Sequence, residues 1–224
     1  MEPCIEVALT KFGDNFGYDI RIHSKEATIA HYISAIDRFL EEKVAPCLGC
    51  DSCCHERLPL TLPDIYHYAG KEERSIHGFV LDHCDFGAYG PALDIKLKQK
   101  ENGACIFLDP VAKKCNHYLG RGIVCHTYIC LPQSEEAAEI RSALVNQGED
   151  ALIGYLLSTG HQNHLSLSLL KRQEDYPVLP LWQGKEYEEI FLIDVLPPSL
   201  WEKVFKAVQN KESGSFSHFP GKTP

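Results

Sequence analysis

Between residues 25 and 44 the apolar positions Ile29, Ile33, Ile36, Leu40 and Val44 recur every three or four residues, which predicts an amphipathic helix with Ser24 as its cap and a stop before Pro46. Ahead of it, alternation at Ile5, Val7 and Leu9 and again at Tyr18, Ile20 and Ile22, around the turn-rich KFGDN, predicts a hairpin. Thr61 opens TLPD, a cap followed by Pro and an acid three residues on, and starts a helix that ends near Gly70. Residues 71–91 are weakly patterned and suit a short helix followed by a loop through HCDFGAYGP. Leu93, Ile95 and Leu97 alternate, ENG turns, and ACIFLD follows as a second strand, so Cys105 is expected on a hairpin.

Beyond residue 130, Ser134 opens a helix with acids in its first turn and Gly148 as its stop, and another helix is expected over 150–158. Leu165, Leu167 and Leu169 fit a strand or a helix, 189–195 reads as a strand, and SLWE opens a last helix bearing Val204, Phe205 and Val208. The fold class is α+β, mainly helical with small hairpins and a loop-rich cysteine lobe. One compact domain over 1–210 is expected, followed by a flexible tail over 211–224 that is rich in Ser, Gly, Lys and Pro.

Composition changes this picture at the thiols. The 224 residues include ten cysteines, and four of them, Cys47, Cys50, Cys53 and Cys54, fall in the eight-residue run CLGCDSCC. The start of the chain lacks the basic and apolar regions of a secretion signal, and no stretch is long and apolar enough to span a membrane, so the expected location is the cytoplasm. In that reducing compartment crowded thiols read as metal ligands and not as a disulfide framework. The net charge is -9, and no basic stripe beyond pieces such as Lys96, Lys98 and Lys100 offers counterion release to a phosphate backbone. Nucleic acid and membrane are thereby set aside, and a protein partner or protein substrate is expected.

C-x2-C spacing lets two sulfurs reach one metal, and a third at the same interval gives the Cys47, Cys50, Cys53 triplet with which ferredoxins hold an iron–sulfur cubane. Adjacent side chains point apart, so Cys54 is expected to face a second site or to bridge. Cys105, Cys115, Cys125 and Cys130 bring the ligand pool to eight, enough for two four-thiolate sites or for one cluster with spare thiols. A 4Fe-4S cluster is the favoured cofactor and zinc the alternative. Cys4 and Cys84 read as small buried hydrophobes. His55, His117 and His126, each beside a cysteine, read as tuning groups or surface residues, and Tyr118 and Arg121 either pack or offset negative charge on sulfur.

CLGCDSCC, the following LTLPDIYHYAG, GACIFLD and CNHYLGRGIVC together resemble the cysteine-cluster family defined by the motif C-x-x-C-x-x-C-C, named for zinc or iron chelation, across about 46–132. All eight of the family's usual cysteines have a match. The family commonly shows Arg-Pro and Cys-Arg where this chain has Arg121-Gly122 and Cys125-His126, so His126 could supply a ligand or carry a proton that relatives lack. The resemblance implies metal binding. Because the family includes the enzyme that methylates flagellin lysines, it also offers a metal-cluster-dependent modifying enzyme as an alternative, although no glycine-rich turn for a methyl donor follows a strand here. A redox or metal-handling protein and a structural zinc module in an adaptor are the other two readings.

Overall fold

The computed structural model describes residues 3–44, 49–89, 92–159, 176 and 178–206. The fold is α+β: among the described residues, helices combine with three small antiparallel two-stranded sheets. Buried apolar side chains form one connected cluster that runs from Ile5 to Val204. No helix among the described residues is long and apolar enough to cross a membrane.

The first hairpin forms as its alternation requires. Strand β1 (Ile5–Phe12) pairs with β2 (Asn15–Ile22) from Ile5 opposite Ile22 to Phe12 opposite Asn15, and Tyr18, Ile20 and Ile22 turn inward. Helix α1 (Ile29–Lys43) follows, but its cap is Thr28 and not Ser24. Thr28 accepts from the His31 amide while the His31 ring accepts from the Thr28 amide, a reciprocal box that Ser24 lies too far upstream to make. Ile29, Tyr32, Ile33, Ala35, Ile36 and Phe39 form the buried face of α1.

Helix α2 (Leu62–Lys71) starts at the Thr61 box that TLPD predicts, and α3 (Ile76–His83) is the short helix expected after it. Two expectations fail in the next stretch. The supposed loop is strand β3 (Cys84–Tyr89), and it is β3, not ACIFLD, that pairs with β4 (Ala92–Leu97). The other edge of β4 is taken by the segment after the cysteine run, through Leu60 N–H to Ile95 O at 2.9 Å and Leu97 N–H to Leu58 O at 3.1 Å. With both edges filled, ACIFLD bridges only Gln99 at Cys105 and then turns, its last two residues forming β5 (Leu108–Asp109), which pairs with β6 (Lys114–Cys115).

Helix α4 (Ile123–Thr127) is a little over one turn, and α5 (Glu135–Ser158) is the long central helix. Gly148 does not end α5. It sits mid-helix because a Cβ there would lie 2.6 Å from the Thr61 side chain and 3.0 Å from Trp182, so the missing side chain lets α5 approach the start of α2. Gly148→Ala should therefore cost stability, by about 1–3 kcal/mol, despite alanine's better helix propensity. Urea titration of the two proteins checks this, and a more stable alanine variant would contradict it.

Toward the end, 189–195 is not a strand but a 3-10 turn (Tyr187–Glu189) and a short helix (Leu192–Val195), and the last helix (Pro198–Val204) begins behind Pro197 without the SLWE capping box. Pro197 and Pro198 fix the first turn instead. Trp182 is in the core, whereas Trp201 is half-buried and stacks on Phe205. The alternating leucines 165, 167 and 169, Val208 and the tail from 211 lie outside the described residues.

Candidate metal centre

Four separate stretches deliver cysteines to one cleft. Gly49, at φ +84°, turns the chain into Cys50, and a 3-10 turn (Ser52–His55) presents Cys53 and Cys54. The Cys54 carbonyl accepts from the Cys105 amide at 2.7 Å, which binds the first stretch to the second. Leu108 pairs with Cys115 across the β5–β6 hairpin, and α4 carries Cys125. Cys50, Cys53, Cys54, Cys105, Cys115 and Cys125 all line this cleft of about 630 Å3, open mouth included, whose walls are Leu58, Tyr68, Leu97, Phe107 and Leu108. Cys54 thus lines the same cleft as Cys53, and its thiol hydrogen-bonds to that of Cys53. Cys130 is exposed and is not among the lining residues, and Cys47 lies outside the described residues. Cys84 is buried in β3 and Cys4 half-buried at the start of β1, both away from the cleft.

Burial and mutual repulsion make thiolates costly here. Burial pushes the Cys105, Cys115 and Cys125 thiols up, and neighbouring cysteines push them the same way. Amides two residues on, those of Phe107 and His117, donate to the sulfurs of Cys105 and Cys115 and favour their charged forms. Cys53 goes the other way, to about 6: the Cys54 thiol hydrogen-bonds to it, and the Arg121 guanidinium adds to that pull against the effect of burial. Cys54, whose proton is held in that bond, moves up.

Arg121 lines the cleft together with Lys113 and Lys114. Its guanidinium lies over the Tyr118 ring at 4.1 Å and reaches Asp37 Oδ1 at 3.3 Å, while its buried Nε has no hydrogen-bond partner. The charge-offsetting reading of Arg121 therefore has a geometry behind it. His126 does not line the cleft: its Nδ1 meets Asp37 Oδ1 at 2.9 Å, so it orients the carboxylate that holds Arg121. His55 is exposed near Asp51, and His117 stands outside the cleft lining. Gly122 donates its N–H to the Tyr68 hydroxyl at 2.8 Å, a bond that proline could not make.

Two residues that fix this wall were not singled out as site residues in the sequence. Asp37 sits on the polar face of α1 and carries no motif. Asp64 is visible only as a cap, yet it is fully buried and accepts from the Thr61 amide at 2.7 Å, the Ile123 amide at 2.8 Å and the Tyr187 hydroxyl. It ties α2 to the first turn of α4, and so to Cys125.

The donor set suits a thiophilic ion or cluster: soft sulfur ligands, amides aimed at sulfur, apolar walls and a fixed cation. Among the described residues no three His, Cys, Asp or Glu side chains already meet around one point, so coordination requires the thiols to draw inward. Residues 46–143 match the model of the CxxCxxCC family, described as "Putative zinc- or iron-chelating domain". No curated protein and no solved structure matches the chain. Residues 46–143 are thus similar to a domain whose description names zinc or iron chelation, which agrees with the cysteine-lined cleft.

Proposed function

We propose that this is a cytosolic protein that holds an iron–sulfur cluster, 4Fe-4S in preference, or else zinc, for redox or metal-handling work. The ligands are drawn from Cys47, Cys50, Cys53, Cys54, Cys105, Cys115, Cys125 and Cys130. The observation that carries this reading is the gathering of six cysteines from four stretches of chain on one apolar-walled cleft beside Arg121. The C-x2-C-x2-C triplet favours a cluster over a lone zinc. Such a cluster supplies one-electron exchange when bound. The protein's own part is to aim amides at Cys105 and Cys115, to shield the sulfurs behind Phe107 and Tyr68, and to set the Arg121 charge beside them. With a net charge of -9, the partner is read as another protein and not nucleic acid.

Anaerobic purification, an absorption spectrum and analysis for iron, zinc and acid-labile sulfide test this. A brown protein with iron and sulfide that are lost in Cys50→Ser and kept in Cys4→Ser is expected. A colourless protein with zinc alone removes the cluster, and equal metal content in wild type and Cys50→Ser removes the site.

A further inference from the structure

Ligand-type side chains gather a second time beside Phe107, outside the cysteine cleft. Glu72 follows the last residue of α2, and its two oxygens face different imidazoles: Oε1 is 3.4 Å from Nε2 of His117, and Oε2 is 3.7 Å from Nε2 of His83. The three side chains are only 18–20% exposed, so the groups are largely withdrawn from water. Neither contact has hydrogen-bond geometry, although carboxylate and imidazole are the natural partners for one. In a tetrahedral site with metal–ligand bonds of about 2.0–2.2 Å, two ligand atoms lie roughly 3.3–3.6 Å apart. Each Glu72 oxygen therefore stands from its own imidazole nitrogen at about the separation of two ligands of one ion.

Both rings are held in place. His83 stacks on Phe79 at 4.8 Å and on Phe107 at 5.6 Å, and His117 packs on Phe107 at 4.1 Å. Nδ1 of His83 is buried without a partner, so the polar role of that ring rests on Nε2, the atom turned to Glu72. Of the nearby cations, Arg74 comes within 3.8 Å of Glu72 but is paired with Asp82, while Lys71 acts on His117 and opposes a second positive charge.

We propose that Glu72, His83 and His117 form a second metal site, independent of the thiols, which binds a divalent first-row ion of the zinc class through two imidazole nitrogens and one carboxylate. Nitrogen and oxygen donors of this kind suit zinc and its neighbours, whereas the thiols suit softer ions or clusters. Because no three donors yet meet at one point and the rings are held by stacking, it is the Glu72 side chain that turns between the two imidazoles as the ion enters. Open positions beyond the three ligands would be filled by water.

Cobalt(II) is the probe, titrated into the full chain as purified anaerobically with whatever metal its cysteines hold. One equivalent should bind with a visible ligand-field band and no new thiolate-to-cobalt charge transfer. Glu72→Gln and His117→Gln, both at partly exposed positions and checked for folding by circular dichroism, should each weaken that binding at least about 10-fold. Cys4→Ser should leave it unchanged. Cobalt uptake seen only with thiolate charge transfer, no uptake at all, or equal affinity in the wild type and the two folded variants would overturn the proposal.

Discussion

Cys53→Ser should release the metal from the cysteine cleft and lower the melting temperature of the purified protein by about 8–16 °C. The magnitude follows from mass action. A ligand held 1,000-fold above its dissociation constant stabilises the folded state by about 4.1 kcal/mol, and each kcal/mol moves the midpoint by about 2–4 °C for a chain of this length. Cys53 is the position to change because its bond to the Cys54 thiol and the pull of Arg121 lower its thiol to about 6 and so favour the thiolate. Serine fills nearly the same space but gives up the thiolate. The effect should therefore vanish when both proteins are stripped by a chelator, and their apo forms should melt together. A Cys53→Ser protein that keeps its metal and its melting temperature would mean that the cleft is not the metal centre.

The thiol spacing announced metal chemistry because C-x2-C repeats constrain ligand placement within a single turn. What the spacing did not carry was the way the cleft closes. Cys105 reaches it on a short antiparallel bridge to Gln99 and not on a partner strand of β4, with its amide bonded to the Cys54 carbonyl, and β4 gives its edges to β3 and to residues 58–60. Pairing partners are a tertiary choice among strands of similar pattern, and alternation alone does not rank them. Helices with strong caps were legible, as Thr61 shows, because the box is local. Gly148 misled for the same reason: a glycine late in a helical run reads as a stop until the Thr61 and Trp182 side chains that need its space are known. Arg121 was noticed by its place between cysteines, but Asp37, which holds it from α1, had no signal in the chain.

Asp64 yields the other large expected effect, and it separates scaffold from metal. The carboxylate is fully buried and receives the Thr61 amide, the Ile123 amide and the Tyr187 hydroxyl. Asp64→Ala leaves three buried donors without an acceptor, at about 1–3 kcal/mol each and not fully additive, so a loss of roughly 3–5 kcal/mol is expected. Asp64→Asn should be milder. One oxygen can still take the Ile123 amide and the Tyr187 hydroxyl, but the amide NH2 then confronts the Thr61 N–H, which leaves one clash in place of three orphans. The alanine loss should persist in the chelator-treated protein, unlike that of Cys53→Ser, because the bonds join α2 to α4 whether or not the thiols hold an ion. Denaturant titration of the variants with and without metal reads both terms. If Asp64→Ala matched the wild type after chelation, the carboxylate would be serving the metal and not the wall behind it.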